Sequence, residues 1–163
     1  MKRLKAFAAF AVVAFALLAA PAARANGSVV PFAYGYQPGT IVVVTSARQL
    51  FYVLNASQAI RYPVGVGRAG MAWHGSARIA RKDIRPAWVK IPGRTRTIPG
   101  GSPNNPMGAA AMGLDHGNYA IHGTNDPASI GGFVSHGCIR MFNADIMDLY
   151  QRAAIGTPVY VTR

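Results

Sequence analysis

The chain has a single cysteine, Cys138, and it shares the segment from Tyr119 to Met141 with two of the four histidines, His122 and His136. A thiol, imidazoles and small residues gathered in one stretch point to a nucleophile with its base. A free cysteine, with a pKa of about 8.5, is only a few per cent thiolate at neutral pH. An imidazole that takes its proton lowers that pKa and makes a far stronger nucleophile, with half-maximal labelling well below pH 8. His136 stands two residues before Cys138, and in an extended segment the two side chains share a face. His122 is separated from Cys138 by a 15-residue connection, residues 123–137, long enough to bring the two together. Gly137 keeps a side chain off the backbone just before the thiol. Exposed N–H groups there are candidates to receive an oxyanion in acyl transfer, a contribution of about 3 kcal/mol per donor. Gly123, Gly131 and Gly132 let the connection bend, and Arg140 is placed to hold a substrate carboxylate or the local backbone.

Other readings of the same residues stand beside this one. Cys138 as an inert core thiol is the default in most folds. His136 reads equally as a structural hydrogen-bonding residue, and Arg140 as a partner for Asp145 or a carbonyl. His116, in an Asp-His-Gly turn, reads as surface; His74, beside Trp73, as packing or surface; and Asp126, before Pro127, as a turn former. Zinc is the chemical rival, with His122, His136 and Cys138 as three ligands and His116 as a fourth. Against it, the chain has no His-Glu-x-x-His, no Cys-x-x-Cys and no glutamate at all, so neither a metal nor another cofactor is expected.

Lys2, Arg3 and Lys5 precede the apolar run Ala6 to Ala20, and Ala23-Arg24-Ala25 supplies small residues for cleavage. That order reads as a secretory signal over 1–25, and fifteen apolar residues fall short of the roughly 20 that span a bilayer. The rest carries 13 basic residues against five aspartates, a net +8, as befits an exported protein that meets anionic cell-surface polymers. No dense Lys/Arg run interleaved with aromatics appears, so nucleic-acid binding is not expected. A lone cysteine in an oxidising compartment is either buried and inert or kept for its reactivity.

The elements around the central stretch read as one mainly β domain over 40–163, a sandwich or mixed sheet, behind a loosely held Gly/Pro/Tyr-rich leader over 26–39. The runs 40–45, 50–54 and 60–66 predict an antiparallel meander, with Pro63 marking an edge or a bulge. A further short strand is predicted over 76–82. From Ile84 the recurrent prolines predict a long ordered loop, followed by strands over 109–114 and 118–122. One short helix is predicted over 144–154, with Asn143 as N-cap and Ile146, Tyr150 and Ala153 on its packed face. A closing strand covers 157–162.

His122-Gly123-Thr124 followed by Ser135-His136-Gly137-Cys138-Ile139-Arg140 resembles the signature of the L,D-transpeptidases of the YkuD (ErfK/YbiS-type) family. The likeness extends from about Ile41 to Val161 and includes Tyr62-Pro-Val-Gly-Val-Gly67, Pro86-Ala-Trp88, Pro99-Gly-Gly101 and Asn105-Pro-Met-Gly108. It departs at Ala72-Trp73-His74-Gly75, where many relatives carry a Thr-Pro-Thr-Gly-like turn. The resemblance implies Cys138 as nucleophile, His122 as base and the Gly123 carbonyl as the group that orients the imidazole. Ser135, His136, Gly137 and Arg140 would form the substrate and oxyanion pocket. It further implies a mainly β catalytic domain, peptidoglycan stem peptides as substrate and inactivation by carbapenems; the signal segment adds the expectation of a periplasmic location, exported to the cell envelope. The acyl acceptor would be a second stem, water, or a lysine of an outer-membrane lipoprotein. A non-catalytic wall-binding module using the basic charge is the alternative of another class.

Overall fold

The computed structural model describes residues 27–89 and 97–163, so the expected signal segment lies outside the described residues. Nine strands form one mixed sheet. In chain order they are β1 (Ser28–Pro31), β2 (Ile41–Val44), β3 (Gln49–Asn55), β4 (Gln58–Pro63), β6 (Gly75–Ile84), β9 (Ala110–Leu114), β10 (Ala120–His122), β12 (Ile139–Arg140) and β13 (Pro158–Thr162). Their spatial order is β1-β4-β3-β2-β13-β6-β9-β10-β12. Two small ribbons accompany it: β5 (Val66–Gly67) with β11 (Phe133–Ser135), and β7 (Trp88–Val89) with β8 (Thr97–Ile98). The mainly β class with one helix, α1 (Asn143–Arg152), is as the sequence implies.

β6 joins the two halves of the sheet. Its first residues pair with β13 (Val159↔Ala77) and its later ones with β9 (Lys82↔Met112), across an irregularity between Ile79 and Arg81. Extra residues of this kind bend a strand and strengthen its twist, which turns one half over the other. Both halves then share one core, in which Ile41, Leu50 and Tyr62 meet Met112, Ile121, Ile139, Ile146 and Leu149. The far end closes back on the near end at Gly65, which exchanges two backbone hydrogen bonds with Arg140 (2.9 and 2.8 Å).

Several sequence expectations are corrected here. The leader is held: β1 pairs antiparallel with β4 over residues 58–61, and Phe32 is buried against Val42, Val53 and Ala59 on the outer face. With both faces covered, β2 needs its unbroken β-branched run, where an alternating strand would expose one side. β4 is therefore an interior strand, and Pro63 is tolerated at its last residue, past the reach of β1. The strand expected over 76–82 is ten residues long. The proline-rich stretch contains the β7–β8 hairpin, and its residues 90–96 lie outside the described ones.

Asn143 is not the N-cap of α1. Phe142 holds that position without a side-chain bond, and the Asn143 amide reaches elsewhere. The buried residues of the helix are Asp145, Ile146 and Leu149, with Tyr150 and Met147 half-buried and Ala153 buried at its C-cap, so Leu149 joins the expected set. At the other end Lys82 Nζ donates to the carbonyls of Tyr150 (2.6 Å) and Ala153 (2.5 Å), placing a cation where the helix leaves carbonyls unpaired. The core is tied to this helix by Tyr62, whose hydroxyl donates to Asp148 at 2.5 Å. Arg152 also donates to Asp148, and its hydrogen bonds hold that carboxyl below the usual carboxylate range.

Removing the Tyr62 hydroxyl leaves Asp148 still bound to Arg152, so Tyr62→Phe is expected to cost only about 1 kcal/mol in urea unfolding. Ile146→Ala opens a cavity in the shared core and is expected to cost about 2–5 kcal/mol. The reverse order would contradict this account of the core.

Candidate active site

β10 and β12 lie side by side and parallel, with Ile121 opposite Ile139 and His122 opposite Arg140. Cys138 immediately precedes β12, and that register puts it opposite Ala120. Cys138 and His122 then occupy diagonal positions on one face of neighbouring strands, the arrangement in which side chains reach across. Parallel neighbours need a crossover, and residues 123–137 provide it, with a 3-10 turn at Pro127–Ser129 and β11.

His122 is buried, and its Nδ1 lies 2.6 Å from the Gly123 carbonyl. A carbonyl can only accept, so Nδ1 carries the hydrogen and the Nε2 lone pair is left to act as a base. Burial pulls the imidazole pKa down to about 4, assisted by the Arg140 charge and opposed by the carbonyls of Gly123 and Pro106. The ring is therefore neutral at pH 7.

Asn143 holds the backbone that follows this histidine. Its Oδ1 accepts the N–H groups of Thr124 (3.1 Å) and Ala109 (3.0 Å), and its Nδ2 donates to the Thr124 carbonyl (2.9 Å). A Cβ at Gly108 or Gly123 would collide with that amide, which is why glycine stands at both. Buried Asn105 does similar work one layer out. Its Nδ2 lies within hydrogen-bond distance of the carbonyls of Pro86, Ile98 and Pro99 (2.8–3.3 Å), and its Oδ1 accepts the Met107 N–H (2.9 Å).

Cys138 is half-buried and free. Burial pushes its thiol pKa up, against the Ala120 N–H and the Arg140 charge, which both favour the thiolate. No hydrogen bond joins Sγ to the His122 ring among the described residues. The thiol stands diagonally from the imidazole, with burial pushing the pKa of the thiol up and that of the imidazole down. The reason is dielectric, because both groups are shielded from water and burial disfavours the charged form of each.

The expected pocket residues divide. Ser135 Oγ donates to the Cys138 carbonyl (2.6 Å) and accepts the Gly137 N–H (3.0 Å), so it braces the turn. The Gly137 N–H is therefore bonded within the turn and not exposed, as the sequence had suggested. His136 is exposed, and its Nε2 accepts from the Arg68 guanidinium at 2.9 Å. Arg140 is locked through its backbone to Gly65, while its charge acts on both Cys138 and His122. His116 lies on Trp73 (ring centroids 4.7 Å apart), so the four residues considered as zinc ligands do not converge among the described residues.

Sequence reasoning missed three contributors. Trp73 donates its indole N–H to the Gly137 carbonyl (3.0 Å) and stacks on Tyr119 (5.3 Å, 4° between planes), which in turn covers Gly137. The third is Asn143, assigned to a helix cap. The one available signal was Trp73 itself, standing where the family pattern breaks.

Residues 38–161 match the L,D-transpeptidase catalytic domain family, YkuD. YqjB of Bacillus subtilis, which carries the L,D-transpeptidase designation, is 36% identical over 133 residues, covering 77% of this chain and 73% of its own. ErfK/SrfK of Escherichia coli, designated likewise, is 34% identical over 136 residues, covering 76% of this chain but 43% of its own length. Among solved structures, L,D-transpeptidase 3 from Mycobacterium tuberculosis with a faropenem-derived adduct shares the fold at TM-score 0.62 and 18% identity, over 76% of this chain and 60% of that one. The chain belongs to the L,D-transpeptidase catalytic domain family and is an enzyme of that class.

Because the resting thiol is unpaired and shielded, iodoacetamide labelling of Cys138 is expected to reach half-maximal rate above about pH 8.5, the ordinary thiol value. The same midpoint is expected for His122→Gln. A wild-type midpoint well below pH 8 would mean that a thiolate–imidazolium pair exists after all.

Proposed function

We propose that this domain is an exported peptidoglycan L,D-transpeptidase, with residues 1–25 as its signal and residues 40–163 as its catalytic unit. The observation that carries this reading is the His122 ring fixed by the Gly123 carbonyl at 2.6 Å, diagonal to Cys138 on one face of neighbouring strands.

The stem peptide presents the carbonyl that precedes its terminal D-alanine. As Sγ of Cys138 bonds to that carbon, Nε2 of His122 takes the thiol proton, so the thiolate forms during attack and not before it. The oxyanion then collapses, the C–N bond breaks, and His122 returns the proton to the leaving D-alanine amine. A thioester remains on Cys138. The side-chain amine of a second stem displaces the sulfur, and its proton passes through His122, giving a cross-link between third residues of two stems. The Arg140 charge beside both groups supports its role in drawing the anionic stem and in stabilising negative charge on sulfur or oxygen. Water or a lipoprotein lysine as acceptor would change only the second half of this sequence. Products from defined muropeptides distinguish the three: cross-linked dimer, tripeptide, or modified lipoprotein.

Incubation with imipenem followed by intact mass measurement is expected to show one covalent adduct on the wild type and none on Cys138→Ala. A wild type that gains no mass would remove the acyl-transfer reading. Since the neutral ring is the base, kcat/KM is expected to stay high through the weakly acidic range and to fall only as pH drops through about 4, where the ring protonates. An acidic limb near pH 6.5, the value of an ordinary imidazole, would contradict the burial of His122.

A further inference from the structure

The turn that carries the thiol has one peptide unit with two ends in different surroundings. At one end the Gly137 carbonyl accepts the Trp73 indole N–H at 3.0 Å. At the other, the N–H of Cys138 has no acceptor among the described residues, whereas the neighbouring Gly137 N–H is held by Ser135 Oγ. An acyl group attached to Sγ of a cysteine brings its oxygen within reach of that residue's own N–H. With the Gly137 amide occupied, the Cys138 amide is the donor on the nucleophile's own residue that the turn leaves for an oxyanion.

Ser135 braces the residues on either side, but among the described residues the bond from Trp73 is the one hydrogen bond made to this peptide's own C=O and N–H. Gly137 sits at φ +116, a conformation open to glycine and strained for other residues, and it has no Cβ to resist rotation. A flip of the 137–138 peptide would exchange carbonyl and N–H and turn the donor away. The indole opposes that flip from a fixed position. Its ring lies parallel to Tyr119 and against His116, and its own segment is pinned to the nucleophile segment by the Arg68 N–H to the Ser135 carbonyl (3.0 Å). Gly67 packs so closely on Ala72 that no side chain fits between them. A carbonyl that accepts a hydrogen bond also polarises its amide and strengthens the N–H at the far end.

We propose that Trp73 is a positioning residue for acyl transfer, fixing and polarising, through the Gly137 carbonyl, the peptide whose Cys138 N–H receives the oxyanion. The proposal rests on the acyl-transfer reading above and adds a device from the turn where this chain departs from the family pattern.

Trp73→Phe keeps a ring to stack on Tyr119 and removes the donor. The test compares two reactions of Cys138 at one pH: acylation by imipenem, which passes through an oxyanion, and alkylation by iodoacetamide, which does not. Acylation is expected to slow about 10- to 100-fold, somewhat less than loss of a direct oxyanion donor. Alkylation is expected to change less than about two-fold, since it depends on the thiol alone. If Trp73→Phe folds poorly by near-UV circular dichroism, replacement of Trp73 by 3-benzothienylalanine, which keeps the shape and lacks the N–H, makes the same comparison. Equal slowing of both reactions, or slowing of neither, overturns the role given to Trp73. A wild type that imipenem does not acylate would instead overturn the acyl-transfer reading itself.

Discussion

The parallel pairing of β10 with β12 is the constraint on which the site depends, and by itself it is a weak one. β12 is two residues long, an edge with little ladder of its own. It is kept in register by bonds at its margins: the Met141 N–H to the His122 carbonyl (2.8 Å) on one side, and the exchange between Arg140 and Gly65 on the other. A slip of one residue would send Cys138 to the opposite face, because side chains alternate along a strand. Much of what surrounds the pair guards against that slip. Ser135 closes the turn before it, β11 pairs with β5 beside it, and Ile139 and Met141 are buried in the core on its inner face.

The electrostatics follow from where this pairing sits. Cys138 and His122 lie over the core, and no carboxylate is among the causes that shift either group. Burial raises the pKa of Cys138 and lowers that of His122, and so favours the neutral form of each. The Arg140 charge favours the thiolate but opposes the imidazolium, and so gives no net encouragement to separate charge before substrate arrives. Such a thiol reacts slowly with oxidants, which attack the thiolate.

What the sequence made legible was local or carried by a compact motif. The meander, the helix over α1 and the placing of Cys138 and His122 on neighbouring segments of the chain follow from periodicity and spacing. The misreadings share a different cause, in that a long-range partner outweighs a local rule. Asn143 has the right residue type for an N-cap, but it bonds instead to the Ala109 N–H and to the N–H and carbonyl of Thr124, three backbone groups with no other partner among the described residues. The leader looks loose by its Gly/Pro/Tyr content, yet Phe32 finds an apolar outer face on β2 that no pattern within residues 26–39 announces. Pro63 reads as an edge marker until β1, thirty residues upstream, covers the strand that ends in it. The Gly137 N–H looked exposed because nothing in the sequence says which way the Ser135 hydroxyl turns.

Ser135, Asn105 and Asn143 reveal how irregular backbone is kept rigid near the site. Chain that is neither helix nor strand still has N–H and C=O groups to satisfy, and burying them unpaired costs about as much as the hydrogen bonds they forgo. Each of these side chains bonds two or more such groups at once, standing in for a ladder where the chain must bend. The targets of Ser135 and Asn143 are the backbone at Gly137 and Cys138 and the backbone after His122, while Asn105 holds the 86–107 stretch one layer out. A loop held only by packing would let the imidazole and the thiol drift by the ångström that separates a working base from an idle one. A short polar side chain with fixed geometry holds them closer than a further strand could, because a strand would have to run straight where the nucleophile turn and the segment after His122 both curve.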